Sequence, residues 1–216
     1  MCGGPGGKWV EEGRASWHCD TEAVWRTGRE MSAAEIADFI ENHVPLDSEV
    51  SVVWTGGEPV SQDIEICTAI KTLSLHQFPS CSLFHELETN GTIDLSDQLH
   101  YSIDQINCSP KLSNSGIEFK HRIHFPVLRR IMSHPNAWLK FVVDPVKDDL
   151  PSMLREIDGI RIDSHADRDR VILMPAVECL AELPDKTRRV FEICKDYGYR
   201  ASTRLQVLAW DKTTGV

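Results

Sequence analysis

Short apolar runs alternate with helical patterns along most of this chain, and that alternation constrains its fold more than any other feature. Ser32-Ala-Ala-Glu35 is a capping-box pattern that opens an amphipathic helix to about His43, with Ile36, Phe39 and Ile40 on one face. Val50-Ser-Val-Val-Trp54 then reads as a buried strand, followed by a Gly-Gly loop and a helix over Asp63 to Leu75. Similar apolar runs recur at Ser82 to Leu87, Ser102 to Asn107, Trp138 to Val143, Val171 to Met174 and Leu205 to Ala209, with helical patterns between several of them. Strands alternating with helices predict an α/β fold: a largely parallel sheet covered by helices, open or curled into a partial barrel. Functional residues are then expected at the C-terminal ends of the strands.

A chain of 216 residues that is 41% hydrophobic has enough apolar material for one sizeable core. No internal repeat or linker divides it, so residues 1–216 are read as a single domain, with 111–120 and 163–170 as surface excursions. The formal net charge of -10 argues against a nucleic-acid partner, because binding to phosphate backbones needs concentrated Lys and Arg. No basic-then-apolar leader opens the chain and no run approaches the ~20 apolar residues of a membrane span. A cytoplasmic protein without a membrane partner is expected.

Three consecutive strands end in polar, ligand-type turns. Thr55-Gly-Gly-Glu-Pro59 follows the strand ending at Trp54, where glycines let backbone approach a ligand and present N–H and C=O groups to it. Glu88-Thr-Asn-Gly-Thr92 and Asn107-Cys-Ser-Pro-Lys111 close the next two strands. A scaffold needs only turn residues there. Glu, Asn, Ser and Lys clustered at one rim supply acceptors and donors for a polar, nucleotide-like molecule.

Seven cysteines, an odd number in a chain too long to need disulfide staples, point to reduced thiols or metal ligands. Cys2 and Cys19 are separated by 16 residues, and Trp17-His18-Cys19-Asp20-Thr21 surrounds the second. Two thiolates do not complete an iron-sulfur or zinc site by themselves, and His18, which reads as easily as a loop residue as a ligand, is left outside the cluster. Cys67, Cys81, Cys108, Cys179 and Cys194 lie in or beside helices and strands and are read as structural.

Taken together, Cys-Asp-Thr at 19 to 21, Thr-Gly-Gly-Glu-Pro at 55 to 59, Glu-Thr-Asn-Gly at 88 to 91 and Ser-Pro-Lys at 109 to 111 resemble the 7-carboxy-7-deazaguanine synthases of the radical S-adenosylmethionine superfamily. The resemblance continues through Lys140-Phe-Val-Val143, Leu173-Met-Pro175 and the tail from Arg204-Leu-Gln206 to Val216. It implies a partial, open β/α barrel. It also implies a lyase that converts 6-carboxy-5,6,7,8-tetrahydropterin to 7-carboxy-7-deazaguanine with loss of ammonia, a 7-deazapurine or queuosine precursor. The cofactors implied are a [4Fe-4S] cluster, regenerated S-adenosylmethionine and Mg²⁺, with an electron donor such as a flavodoxin and a homodimeric state.

By position, the resemblance makes Cys2 and Cys19 cluster ligands and Thr21 a Mg²⁺ ligand, an oxygen donor of the kind a hard cation prefers. His18, Asp20, Gly56, Gly57, Glu58, Ser109, Pro110, Lys111 and Met174, Pro175, Ala176 and Val177 are placed around S-adenosylmethionine. Thr55 and the chain end at Val216 are placed on the substrate, and Glu88 and Asn90 near the reacting centre.

The family's usual pattern is Cys-x3-Cys-x2-Cys, and only two of the three cysteines are visible here. One alignment makes Cys2 the second ligand, with residues 3–18 as an insertion before Cys19. Another makes Cys2 the first ligand and Ser16 a replaced second. The first is favoured because the family's opening strand and its Gln-Gly-Glu-Gly turn are also missing, which reads as an N-terminal truncation and an impaired enzyme. Two other readings share part of the pattern: an activase that generates a glycyl radical on a partner enzyme, and a catalytically dead relative kept as a binding module.

Overall fold

The computed structural model describes residues 4–17, 19, 28–43, 49–75 and 83–213. Strands β1 (Val50–Trp54), β2 (Leu83–Thr89), β3 (Gln105–Cys108), β4 (Ala137–Val143), β5 (Val171–Pro175) and β6 (Arg200–Ala201) form one sheet in that order, and every pairing is parallel. The helices are α1 (Lys8–Glu11), α2 (Ala33–His43), α3 (Asp63–Leu75), α4 (Asp97–Ser102), α5 (Phe119–Arg122), α6 (Phe125–Met132), α7 (Leu150–Asp163), α8 (Leu183–Tyr197) and α9 (Leu205–Trp210). No helix among the described residues is long and apolar enough to cross a membrane.

Because strand order in space follows strand order in sequence, every crossover steps across the sheet in the same direction. Parallel crossovers are right-handed, so the connecting helices gather on one face and, among the described residues, leave the other without helices. The sheet is the wall of an open β/α barrel rather than a doubly wound sheet. On the covered face Leu87, Ile106, Leu139, Phe141 and Leu173 pack with Ile66, Leu99, Leu128, Ile131, Ile157 and Val190 in one core. The period of two is plain in β4, where Ala137, Leu139, Phe141 and Val143 are buried while Trp138, Lys140 and Val142 are half-exposed.

The capping box forms as read: the Ser32 N–H donates to Glu35 Oε2 at 2.8 Å and the Glu35 N–H donates to Ser32 Oγ at 3.2 Å. Ile36 and Ile40 turn toward the core, but Phe39 is exposed and stacks on His43. The apolar run Leu205 to Ala209 is a helix, not a strand. As α9 it needs to bury only Val207, which packs with Val177 and Leu183, and the sixth strand is instead the short Arg200–Ala201 beside Ile172 and Leu173.

Gly91 closes the turn after β2 with φ +75°, where an added Cβ would stand 2.6 Å from Leu128 Cδ2 and 2.7 Å from Cys108 Sγ. Gly91→Ala is therefore expected to cost about 2–4 kcal/mol, from left-handed backbone and overpacking together. A lowered urea midpoint with an unchanged slope would show it; an unchanged midpoint would mean the turn relaxes.

Candidate active site

The uncovered face of the sheet is polar where the covered face is apolar. Asn107 Nδ2 donates to Glu86 Oε2 at 3.0 Å, and Gln105 Nε2 donates to Asn107 Oδ1 at 3.0 Å. Nearer the C-terminal rim, Glu88 accepts from Lys140 Nζ at 2.8 Å on one oxygen and from Thr55 Oγ1 at 3.2 Å on the other. Lys140 reaches Glu88 across β3, so two strands and the loop after β1 contribute to one acid–base constellation. Both side chains stay partly open to solvent, at 21% for Lys140 and 39% for Glu88.

Glu58 ties two rim loops together. Its Oε1 accepts from Thr89 Oγ1 at 2.7 Å and from the Val60 N–H at 3.2 Å, and its Oε2 accepts from the Asn90 N–H at 2.7 Å. The carboxylate is thereby engaged with backbone and hydroxyl donors, and it holds the Gly-Gly loop against the end of β2. Asn90 Oδ1 is turned back to the Thr92 N–H at 2.9 Å, which shapes the same turn. Across the rim, the Ser109 N–H donates to the Thr89 carbonyl at 2.7 Å and Lys111 Nζ donates to Ser109 Oγ at 3.3 Å, with Pro110 buried between them. At the end of β5, Pro175 and the following Ala176 and Val177 are buried while Met174 faces the uncovered side.

Gly56 and Gly57 have φ of +95° and +63°, are exposed, and a Cβ added to either meets nothing within 4 Å. A strand-end loop in that state leaves its backbone open to a ligand.

A 7-carboxy-7-deazaguanine synthase of Pyrobaculum aerophilum is 30% identical over 204 residues, 92% of this chain and 82% of the relative. The chain belongs to the 7-carboxy-7-deazaguanine synthase family. A second 7-carboxy-7-deazaguanine synthase, of Halobacterium salinarum, is 28% identical over 214 residues, 90% of this chain and 78% of that protein. No family profile matches the chain.

Of the residues picked from the sequence as synthase-like, the fold brings Thr55, Gly56, Gly57, Glu58, Glu88, Asn90, Ser109, Pro110, Lys111 and Met174 through Val177 to one rim, at the C-terminal ends of parallel strands. Cys2, His18, Asp20, Thr21 and Val216 lie outside the described residues. Cys19 is described and half-buried, and it is the one member of the expected cluster set among the described residues. Among those residues no group of three His, Cys, Asp or Glu side chains could hold a metal ion. The exposed Gly-Gly backbone leaves room for a ligand, and of the thiols expected to ligate a [4Fe-4S] cluster the described residues include one, Cys19.

Three of the described cysteines, Cys67, Cys108 and Cys194, are buried packing groups. Burial, with Asp63 beside it, pushes the Cys67 thiol up to about 11. Burial likewise pushes Cys194 up to about 11 and raises Cys108. Such thiols stay protonated and make poor ligands. Lys140 was not singled out as a site residue, although its signal is visible: one cation in an otherwise apolar strand, at a position that alternation sends to the uncovered face.

Proposed function

We propose that the chain is a radical S-adenosylmethionine lyase that converts 6-carboxy-5,6,7,8-tetrahydropterin to 7-carboxy-7-deazaguanine and ammonia. The observation that carries this reading is the match to a 7-carboxy-7-deazaguanine synthase over 92% of the chain. S-adenosylmethionine on a [4Fe-4S] cluster, when bound, supplies a radical that abstracts hydrogen from the substrate. Gly56, Gly57, Ser109, Pro110, Lys111 and Met174 to Val177 would hold that cofactor, Cys2 and Cys19 would ligate the cluster, and Thr21 would ligate Mg²⁺. His18 and Asp20 would flank the cofactor, and residues 3–18 would be an insertion in the cluster loop. Val216 would close over the substrate. A flavodoxin-like electron donor, a homodimer and a cytoplasmic location complete the reading.

The chain's own contribution at the reacting end is the Glu88–Lys140 pair. A pterin edge rich in N–H donors needs a carboxylate acceptor, and Glu88 presents one that Thr55 and Lys140 hold in place. Loss of ammonia needs a proton on the departing nitrogen, and Lys140 Nζ is a donor at the right face of the sheet. Asn90 shapes the turn that carries Glu88 to the rim.

Lys140→Met, which keeps the stem and removes the charge, is expected to lower kcat/KM about 100-fold while the urea midpoint moves little. A variant as active as the parent would remove Lys140 from the chemistry. The proposal itself is tested by mass-spectrometric detection of 7-carboxy-7-deazaguanine from the tetrahydropterin under anaerobic conditions. Absence of product from a chain carrying a full cluster would contradict it.

A further inference from the structure

Lys111 apart, the stretch leading to Cys19 is held to the rim by side chains for which the proposed chemistry has no use. Ser16 Oγ donates to Asp148 Oδ1 at 2.6 Å, and Trp17 Nε1 donates to Asn114 Oδ1 at 3.2 Å. The Ser16 N–H donates to the Asn114 carbonyl at 2.8 Å, and Lys147 Nζ donates to the Ser16 carbonyl at 3.3 Å. Asn114 Nδ2 in turn donates to Asp148 Oδ2 at 2.8 Å and to the Val142 carbonyl at 3.2 Å, so it locks onto the end of β4. Asp148 Oδ2 also accepts from the Asp144 N–H at 2.7 Å. The Lys111 ammonium sits 5.8 Å from the centre of the Trp17 ring, joining the same segment to the β3 turn.

The turn after β4 therefore grips two parts of the rim. On one side Asp148 holds Ser16. On the other, Asp144 takes Lys186 Nζ at 2.9 Å, and that ammonium donates to the Ala176 carbonyl at 2.9 Å. Distances along the chain make the first grip consequential: two residues reach at most about 7 Å, so a fixed Trp17 confines Cys19 to a small region beside the β3 and β4 ends.

We infer that Asn114 and Asp148 are positioning residues that fix Ser16 and Trp17, and through them Cys19, against the C-terminal rim of β3 and β4. The cluster-binding consequence rests on the proposed function; the clamp does not. Metal ligands must be placed to within a few tenths of an ångström, and a tethered thiol loses less freedom on binding than a loose one.

The test compares the full chain with Asp148→Ala, Asn114→Ala and the milder Ser16→Ala, which removes only one hydrogen bond. Asp158→Asn, which weakens ion pairs to Arg161 and Arg168 elsewhere, controls for general loss of stability. In the metal-free chain, alkylation of Cys19 by iodoacetamide is followed by peptide mass spectrometry against Cys179 as internal reference. The Cys19-to-Cys179 rate ratio is expected to rise about fivefold in the clamp variants and to stay constant in the control, because only local release separates the two thiols. After reconstitution with iron and sulfide, the same variants are expected to retain less iron and to need about tenfold more S-adenosylmethionine for half-maximal change in the reduced cluster's electron paramagnetic resonance spectrum. An unchanged rate ratio in all three variants overturns the clamp, whatever the chain's activity. A raised ratio in a chain that forms no deazaguanine upholds the clamp and counts against the catalytic reading alone.

Discussion

Asp144→Ala is expected to destabilise the chain by about 3–5 kcal/mol, because it leaves the Lys186 ammonium without its buried counter-charge. The Asp144 side chain is 1% exposed and that of Lys186 11%, with 2.9 Å between Nζ and Oδ2. Glu182 stays within 3.0 Å of the ammonium from a more exposed position, which points to the lower end of that range. Asp144 Oδ1 also accepts from the N–H groups of Val146 and Lys147 at 3.0 and 3.2 Å, so the turn after β4 would loosen too. Burial works against the Lys186 charge, but its hydrogen bonds to Asp144 and Glu182 outweigh that and raise its pKa above the ordinary lysine value of 10.5. A raised folded-state pKa gives stability that is complete below the unfolded value and lost as pH climbs through the folded one. The gap between parent and Asp144→Ala should thus be full at pH 7 and narrow above pH 10.5. Urea titrations at both pH values measure it, and a gap that widens in alkali would reverse the assignment.

Glu58→Ala is expected to lower kcat/KM about 100-fold and stability by about 2–3 kcal/mol, a joint loss that separates it from Lys140→Met. The alanine would abandon three donors at once: Thr89 Oγ1 and the N–H groups of Val60 and Asn90. With them goes the link between the Gly56–Gly57 loop and the turn that carries Glu88, so the two rim loops would shift relative to each other. Steady-state kinetics with each ligand varied in turn, beside a denaturant titration, would show both losses. Full activity with lowered stability would restrict Glu58 to packing.

The periodic parts of this fold were legible in the sequence and the aperiodic ones were not. Val50–Trp54 follows as a strand from a short apolar run bounded by turns, although Ser51 and Val53 are exposed and only Trp54 is buried, and Asp63–Leu75 follows from an uninterrupted helical pattern. The run at 205–209 misled because four apolar residues around Gln206 satisfy a strand or a helix equally, and only the neighbouring Val177 and Leu183 decide for the helix. Phe39 shares a helical face with Ile36 and Ile40 on paper, yet the buried arc of α2 is centred on Ala37, and Phe39 falls outside it. The rim turns could be read because glycine and polar residues directly after strands have few structural uses together. The Glu88–Lys140 pair could not, since it joins strands whose register no local pattern records. Nor could the clamp, where Asp148 meets Ser16 from 132 residues away.

The central claim is that this rim converts the tetrahydropterin while S-adenosylmethionine is regenerated. Its most direct test is an anaerobic reaction of the chain carrying a full [4Fe-4S] cluster with excess 6-carboxy-5,6,7,8-tetrahydropterin, S-adenosylmethionine and reductant, counting 7-carboxy-7-deazaguanine, ammonia and 5'-deoxyadenosine together. The expected result is one ammonia per deazaguanine and many deazaguanines per deoxyadenosine released. Steady release of deoxyadenosine with no deazaguanine would contradict it.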